Sequence, residues 1–232
     1  MTQPTPFVLF GTDHLAALAV AFAGAALGAT FARRASRETG RSLRRAIAFT
    51  LLTLALLDVA VAASEAAVPW ERLLPLQLCD ANVVLAIVAL LTLNRRAGAI
   101  LYFWALAATL PAMITPELPA GFPAFRFLAY FSIHGLVITS AVTLTFGFRC
   151  LPDRLDFARA FLTLNLYAAA ITVVNESLDA NFLYLLRKPA SPTLLDLLGP
   201  WPFYLLFLEA LFLAVFLLLD LPLRKLRRSS AA

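Results

Sequence analysis

Polar residues in this chain fall in clusters, and between the clusters run apolar stretches of the length a membrane helix needs, roughly 20 residues. Seven such stretches are predicted, over approximately residues 13–32, 46–66, 76–93, 97–114, 127–148, 157–175 and 201–221. The pattern predicts an all-α fold, a polytopic membrane bundle of seven transmembrane helices in a single transmembrane helical domain over residues 1–232. The first basic residue, Arg33, follows the first apolar run. A signal peptide carries its positive charge ahead of that run, so the run is expected to be retained as a helix.

Composition agrees with the pattern. With 61% hydrophobic side chains, 14% charged ones and a mean hydropathy of +0.83, the chain is far too apolar for an ordinary soluble domain. An integral membrane protein is expected, in a plasma membrane of bacterial type. Charge then orients it, because Lys and Arg gather on the cytoplasmic side. Alternate connections and the tail carry Arg33, Arg34, Arg37, Arg41, Arg44, Arg45, Arg95, Arg96, Arg149, Arg154, Arg159, Arg224, Lys225, Arg227 and Arg228, which is 15 of the 19 basic residues. The other side holds only Arg72, Arg126, Arg187 and Lys188. This split places the N-terminus outside and the C-terminus in the cytoplasm. The pI near 9.7 thereby reflects topology and attraction to anionic headgroups, not nucleic-acid binding.

Ionisable groups inside membrane helices mark candidate sites. In the outer halves of the predicted helices lie His14, Glu65, Gln77, Cys79, Asp80, His134, Asn175, Glu176 and Glu209. The long connections, residues 115–126 and 176–200, are on that side too. Cys79 and Cys150 should differ in depth by about 25 Å at 1.5 Å per residue, too far to pair. Cys79 and His134 differ by only about 6 Å on the same scale. Pro75 suits a first helical turn, and free N–H groups at that end favour a thiolate. Burial and Asp80 oppose it, so a base such as His134 is needed. As residues alone, the cysteine reads more simply as a small packing group and the histidine as an interhelical hydrogen-bonding one. No metal or nucleotide motif occurs, and neither metal nor cofactor is expected.

Three segments carry a resemblance: LPLQLCD at residues 74–80, YFWALAATLPAMITPELPAGFPAFRFLAYFSIHG at 102–135, and NFLYLLRKPASPTLLDLLGPWPFY at 181–204. In them the chain resembles the YwaF-type family of polytopic membrane proteins, whose vertebrate relatives include a cysteine acyltransferase that remodels ether phospholipids. The resemblance implies an acyl-transfer site of Cys79 and His134. Gln77 stands where several relatives carry histidine, so a second imidazole beside the cysteine is not expected. The implied function is a lipid acyltransferase or transacylase that moves a fatty acyl group through a cysteine thioester to a lysophospholipid or other acceptor. Its site would open toward the extracytoplasmic leaflet, and its partners would be membrane phospholipids.

Substrate-binding candidates follow. First-turn N–H groups, Gln77 or Asn175 would meet the oxyanion. Arg126, Arg187 and Lys188 would hold a phosphate or anchor the interface. Asn181 and Asp196 would tie the long loop to the helices. Asp80 has three open roles: orienting His134, pairing with Arg126, or capping a polar cluster. The alternatives are a small-molecule or ion transporter using Asp58, Glu65, Glu209 and Asp220, a lipid esterase on the same Cys/His site, and a non-catalytic receptor or scaffold.

Overall fold

A computed structural model describes residues 5–65, 68–188 and 194–229. Seven helices form among them: α1 (Thr12–Arg34), α2 (Arg37–Ser64), α3 (Leu78–Thr92), α4 (Arg95–Ile114), α5 (Phe125–Gly147), α6 (Asp156–Leu178) and α7 (Phe203–Ser229). No strand occurs among the described residues. Six helices are long and apolar enough to cross a membrane. The exception is α3, whose 15 residues rise about 22 Å, short of the roughly 30 Å hydrocarbon core.

Two boundaries depart from the apolar pattern. α2 starts at Arg37 instead of 46, because Ser36 caps it by accepting the Thr39 N–H at 3.2 Å. The arginine-rich stretch continues this helix out of the apolar zone. Its expected end at Ala66 lies outside the described residues. α7 likewise runs on from 221 to Ser229, through Pro222, and ends on Arg227 and Arg228, which suit the negative end of a helix dipole. Hydropathy marks where a helix meets lipid, whereas caps mark where it begins and ends.

The connection between α3 and α4 is two residues long. Leu93 takes a left-handed conformation (φ 51°), and the Asn94 carboxamide accepts the N–H groups of Arg96 and Ala97 at 2.9 and 3.1 Å. This fixes α3 antiparallel against α4. α4 and α5 are the most buried helices. One core cluster, including Leu18, Leu51, Leu90, Leu101, Phe131 and Leu144, joins α1 to α5. A second, including Phe103, Trp104, Leu164 and Phe216, joins α4 to α6 and α7. Hydrogen bonds add to it: Trp104 Nε1 donates to the Ala160 carbonyl (3.0 Å) and the Tyr102 hydroxyl to that of Leu219 (3.1 Å).

In lipid, helices associate through close packing, not water exclusion, so small residues matter at contacts. Gly24 and Gly28 of α1 face Thr139 and Thr143 of α5; a Cβ on Gly28 would lie 2.6 Å from Thr143 Oγ1 and 3.2 Å from Thr139 Cγ2. Gly28→Leu is therefore expected to force the two helices apart and cost about 1–3 kcal/mol, seen as a lower unfolding midpoint in detergent. Gly98→Ala, with nothing within 4 Å, is the control and should not destabilise.

α4 and α5 each contain one turn of π-helix, Ala105–Thr109 and Thr143–Gly147. In α4 the Leu110 N–H bonds to the Ala105 carbonyl five residues back, and Pro111 has no N–H to restore the regular ladder. This widened turn holds Thr109 where α3, α4 and α5 meet.

Candidate functional site

α3 begins at Leu78, so Cys79 is its second residue and Pro75 lies ahead of the helix, not in its first turn. Gln77 is the N-cap, and the Asp80 carboxylate accepts the Gln77 backbone N–H at 3.0 Å. Asp80 thereby starts the helix that carries Cys79, as acidic groups three residues into a helix commonly do. Both cysteines are free thiols.

The Cys79 thiol interacts electrostatically with the Thr109 hydroxyl on the π-turn of α4. Asn82, one turn further along α3 and fully buried, donates from Nδ2 to Thr109 Oγ1 at 3.1 Å. Its Oδ1 has no hydrogen-bond partner among the described residues. Other helical threonines, Thr92, Thr163 and Thr172, return their hydroxyl hydrogen to the carbonyl four residues back. Thr109 instead accepts from Asn82, which leaves its single hydrogen for the sulfur.

His134 lies on α5, one turn after Tyr130. Its ring stacks on Tyr130 with centroids 4.0 Å apart, and its Nδ1 bonds the Tyr130 carbonyl at 2.8 Å. A carbonyl only accepts, so Nδ1 carries the hydrogen and Nε2 keeps its lone pair. The Tyr130 hydroxyl donates to the Ala112 carbonyl at 2.7 Å, which pins the ring between α4 and α5, within electrostatic reach of Cys79. The other histidine contrasts with this. His14 accepts the Phe10 N–H on Nδ1 (3.0 Å) and donates from Nε2 to the Met113 carbonyl (2.9 Å), fully buried beside Phe7, Phe10 and Phe131. Both its nitrogens are committed, which leaves His134 as the imidazole with a free one.

The remaining predicted residues are engaged within the chain. Gln77 Oε1 accepts the Leu183 N–H (3.1 Å), and Asn175 bonds both the N–H and the carbonyl of Phe182. Asn181 ties Leu186 and Arg187 to itself through their backbones. Arg126 pairs with Glu65 at 2.9 Å and Asp58 at 3.4 Å, not with Asp80. Arg187 approaches Asp179 at 4.0 Å, and Lys188 pairs with Asp196 at 3.6 Å and lies over the Tyr204 ring. The Gln77 contact binds the segment after α6 to the start of α3, and the Tyr167 hydroxyl of α6 adds to it by donating to the Leu76 carbonyl at 2.9 Å. Two clefts lie at the other end of the bundle, among arginines.

Asn82 stands out in the sequence only as one polar residue within an apolar run, and Thr109 and Tyr130 belong to no motif. The signals for them were a threonine two residues before Pro111 and a tyrosine four before His134 on one helical face. The family model of the TMEM164 family matches residues 9–220, a stretch that includes Cys79, His134 and their neighbours, and the chain belongs to that membrane protein family. No curated protein and no solved structure matches it.

Proposed function

We propose that this TMEM164-family membrane protein is a Cys/His lipid acyltransferase, oriented with its N-terminus and the Cys79 end of the bundle outside. The observation that carries the reading is the free Nε2 of His134, whose ring stacks on Tyr130, a residue itself within electrostatic reach of the first-turn thiol of Cys79. His134 Nε2 takes the Cys79 proton, and the sulfur attacks the ester carbonyl of a phospholipid. Collapse of the tetrahedral adduct breaks the C–O bond; His134 returns the proton to the departing oxygen, and a thioester remains on Cys79. An acceptor hydroxyl, such as that of a lysophospholipid, then gives its proton to His134 and attacks the thioester, and the sulfur leaves as the thiol. Water as acceptor would make the same site an esterase.

The transporter alternative has less support. Asp58 and Glu65 are paired with Arg126, and Asp220 with Arg224 and Arg227, so three of the four carboxylates it would use are neutralised locally.

The test is direct. Purified protein is incubated with labelled phospholipid, quenched in acid and analysed by intact mass. A hydroxylamine-labile acyl adduct on Cys79 is expected in wild type; no adduct under any donor would sink the proposal. Adding lysophospholipid should discharge the adduct into a new phospholipid, whereas discharge only to free fatty acid assigns an esterase.

Thr109 has a graded role. Thr109→Val keeps shape but removes the donor to sulfur, and one hydrogen bond to a charged group is worth about 1.5 kcal/mol, roughly tenfold in adduct formation. Thr109→Ser should restore the rate; equal rates for Val and wild type would remove Thr109 from the site.

A further inference from the structure

At the end of the bundle away from Cys79, the start of α4, the connection between α5 and α6, and the last turns of α7 enclose two adjoining clefts of about 310 and 350 Å³. They share Arg154 and Arg227, and arginines 95, 149, 224 and 228 complete their charged lining against two carboxylates, Asp153 and Asp220. Both carboxylates are already taken. Asp220 holds Arg224 at 2.6 Å and Arg227 at 2.7 Å, and Asp153 holds Arg159 at 3.0 Å and Arg95 at 3.8 Å. Burial pushes the Asp153 carboxyl up, but the Leu155 N–H, Arg159 and Arg95 outweigh it and keep the group below its usual value, hence charged. The side chains of Arg149, Arg154 and Arg228 have neither ion pair nor hydrogen bond among the described residues. Arg149 is also held at φ 57°, a left-handed conformation a non-glycine residue adopts only when its surroundings impose it. Arg227 is fixed as a wall by donating to the carbonyls of Pro152 and Asp153.

Unpaired guanidiniums converging on a cleft match a phosphate, which they grip through paired, charge-assisted hydrogen bonds. Exposed apolar side chains, Leu155, Leu221 and Leu226, are chain neighbours of the lining residues Arg154, Asp220 and Arg227. A ligand with an anionic head and hydrocarbon beside it fits both features, and free phosphate fits only the first. We propose that these clefts bind the phosphodiester headgroup of an anionic phospholipid, with Arg149, Arg154 and Arg228 as the ligating residues. This site is independent of the Cys79 chemistry, at the opposite end of the bundle, and stands or falls separately.

The experiment uses the full chain in nanodiscs of phosphatidylcholine with a minor fraction of phosphatidylglycerol, and measures retained phosphatidylglycerol by native mass spectrometry. The R149Q/R154Q/R228Q variant is expected to lose about tenfold in phosphatidylglycerol affinity. The R34Q/R37Q/R41Q variant removes the same charge from exposed arginines of α1 and α2 and should retain wild-type affinity. Equal losses in both would overturn the site, because net charge alone would then account for the lipid. Inorganic phosphate added at millimolar concentration should leave the lipid bound; full displacement would overturn the headgroup assignment in favour of a free-phosphate site. Since the side chains of the three ligating arginines make no ion pair or hydrogen bond among the described residues, the unfolding midpoint should be unchanged. If the triple variant nevertheless fails to fold, R154Q alone, whose side chain lines both clefts, must still lower the affinity, and an unchanged value sinks the proposal.

Discussion

Cys79→Ala is expected to abolish acyl transfer, with turnover falling on the order of 10³-fold or more, as when other covalent nucleophiles are removed. The fold should survive. Cys79 sits in the first turn of α3, that turn is held by Asp80 on the Gln77 N–H, and the cysteine backbone is untouched by the change. His134→Ala should cost less, about 10²- to 10⁴-fold, the usual share of a general base. The two losses should not add: the double variant should be no slower than Cys79→Ala, since a base has nothing to activate once the thiol is gone. A colorimetric or mass-based assay of acyl transfer in detergent micelles reads all three. Retained activity in Cys79→Ala would end the covalent mechanism, and a fully additive double variant would separate the two residues into different steps.

His14 is the internal control. It is the only other histidine, but both its ring nitrogens are bonded to backbone. His14→Gln should therefore affect stability through the lost Phe10 and Met113 contacts while the per-molecule rate of folded protein stays near wild type. The distinction between the two imidazoles is invisible to sequence spacing. His134 is four residues beyond Tyr130 on α5, and it is the Tyr130 carbonyl that sets its tautomer. His14 owes its opposite tautomer to the turn made by Phe10 and to a carbonyl 99 residues away.

The same contrast runs through the whole molecule. Seven helices, with their order and their approximate positions, were legible because apolar length is a one-dimensional property. Matched depth paired Cys79 with His134 and the resemblance gave the pair a chemistry, whereas their surroundings depend on where α4 places its π-turn. The widening follows from Pro111, but nothing in the sequence alone shows that the displaced threonine meets α3 at Cys79. The substrate-binding candidates illustrate the converse. Gln77, Asn175 and Asn181 attracted notice as polar residues in apolar company; the Gln77 carboxamide fastens the segment after α6 onto the start of α3, that of Asn175 ties it to α6, and that of Asn181 folds it on itself. Asp80, with three roles open, is a helix cap, a role that depends only on local geometry and that its neighbours' chemistry obscured.

Asp220→Ala is expected to be the most damaging single change outside the site. The Asp220 side chain is 2% exposed yet charged partners grip both its oxygens, Arg224 at 2.6 Å and Arg227 at 2.7 Å. Removing one member of a buried ion pair generally costs about 3–5 kcal/mol, because the other charge is left without its counterpart. Here the lower end applies, about 3 kcal/mol, since Arg224 is half exposed and Arg227 keeps the carbonyls of Pro152 and Asp153. Unfolding in mixed micelles measures it. A cycle with Arg227→Leu gives the sharper result: once Arg227 is absent, losing Asp220 should cost less than it does in wild type. If the two losses simply add, Asp220 is not the anchor of the α7 terminus. The consequence would reach the clefts beside it, because Asp220 is what holds Arg224 and Arg227 in place as their wall and leaves Arg154 and Arg228 free to face a phosphate.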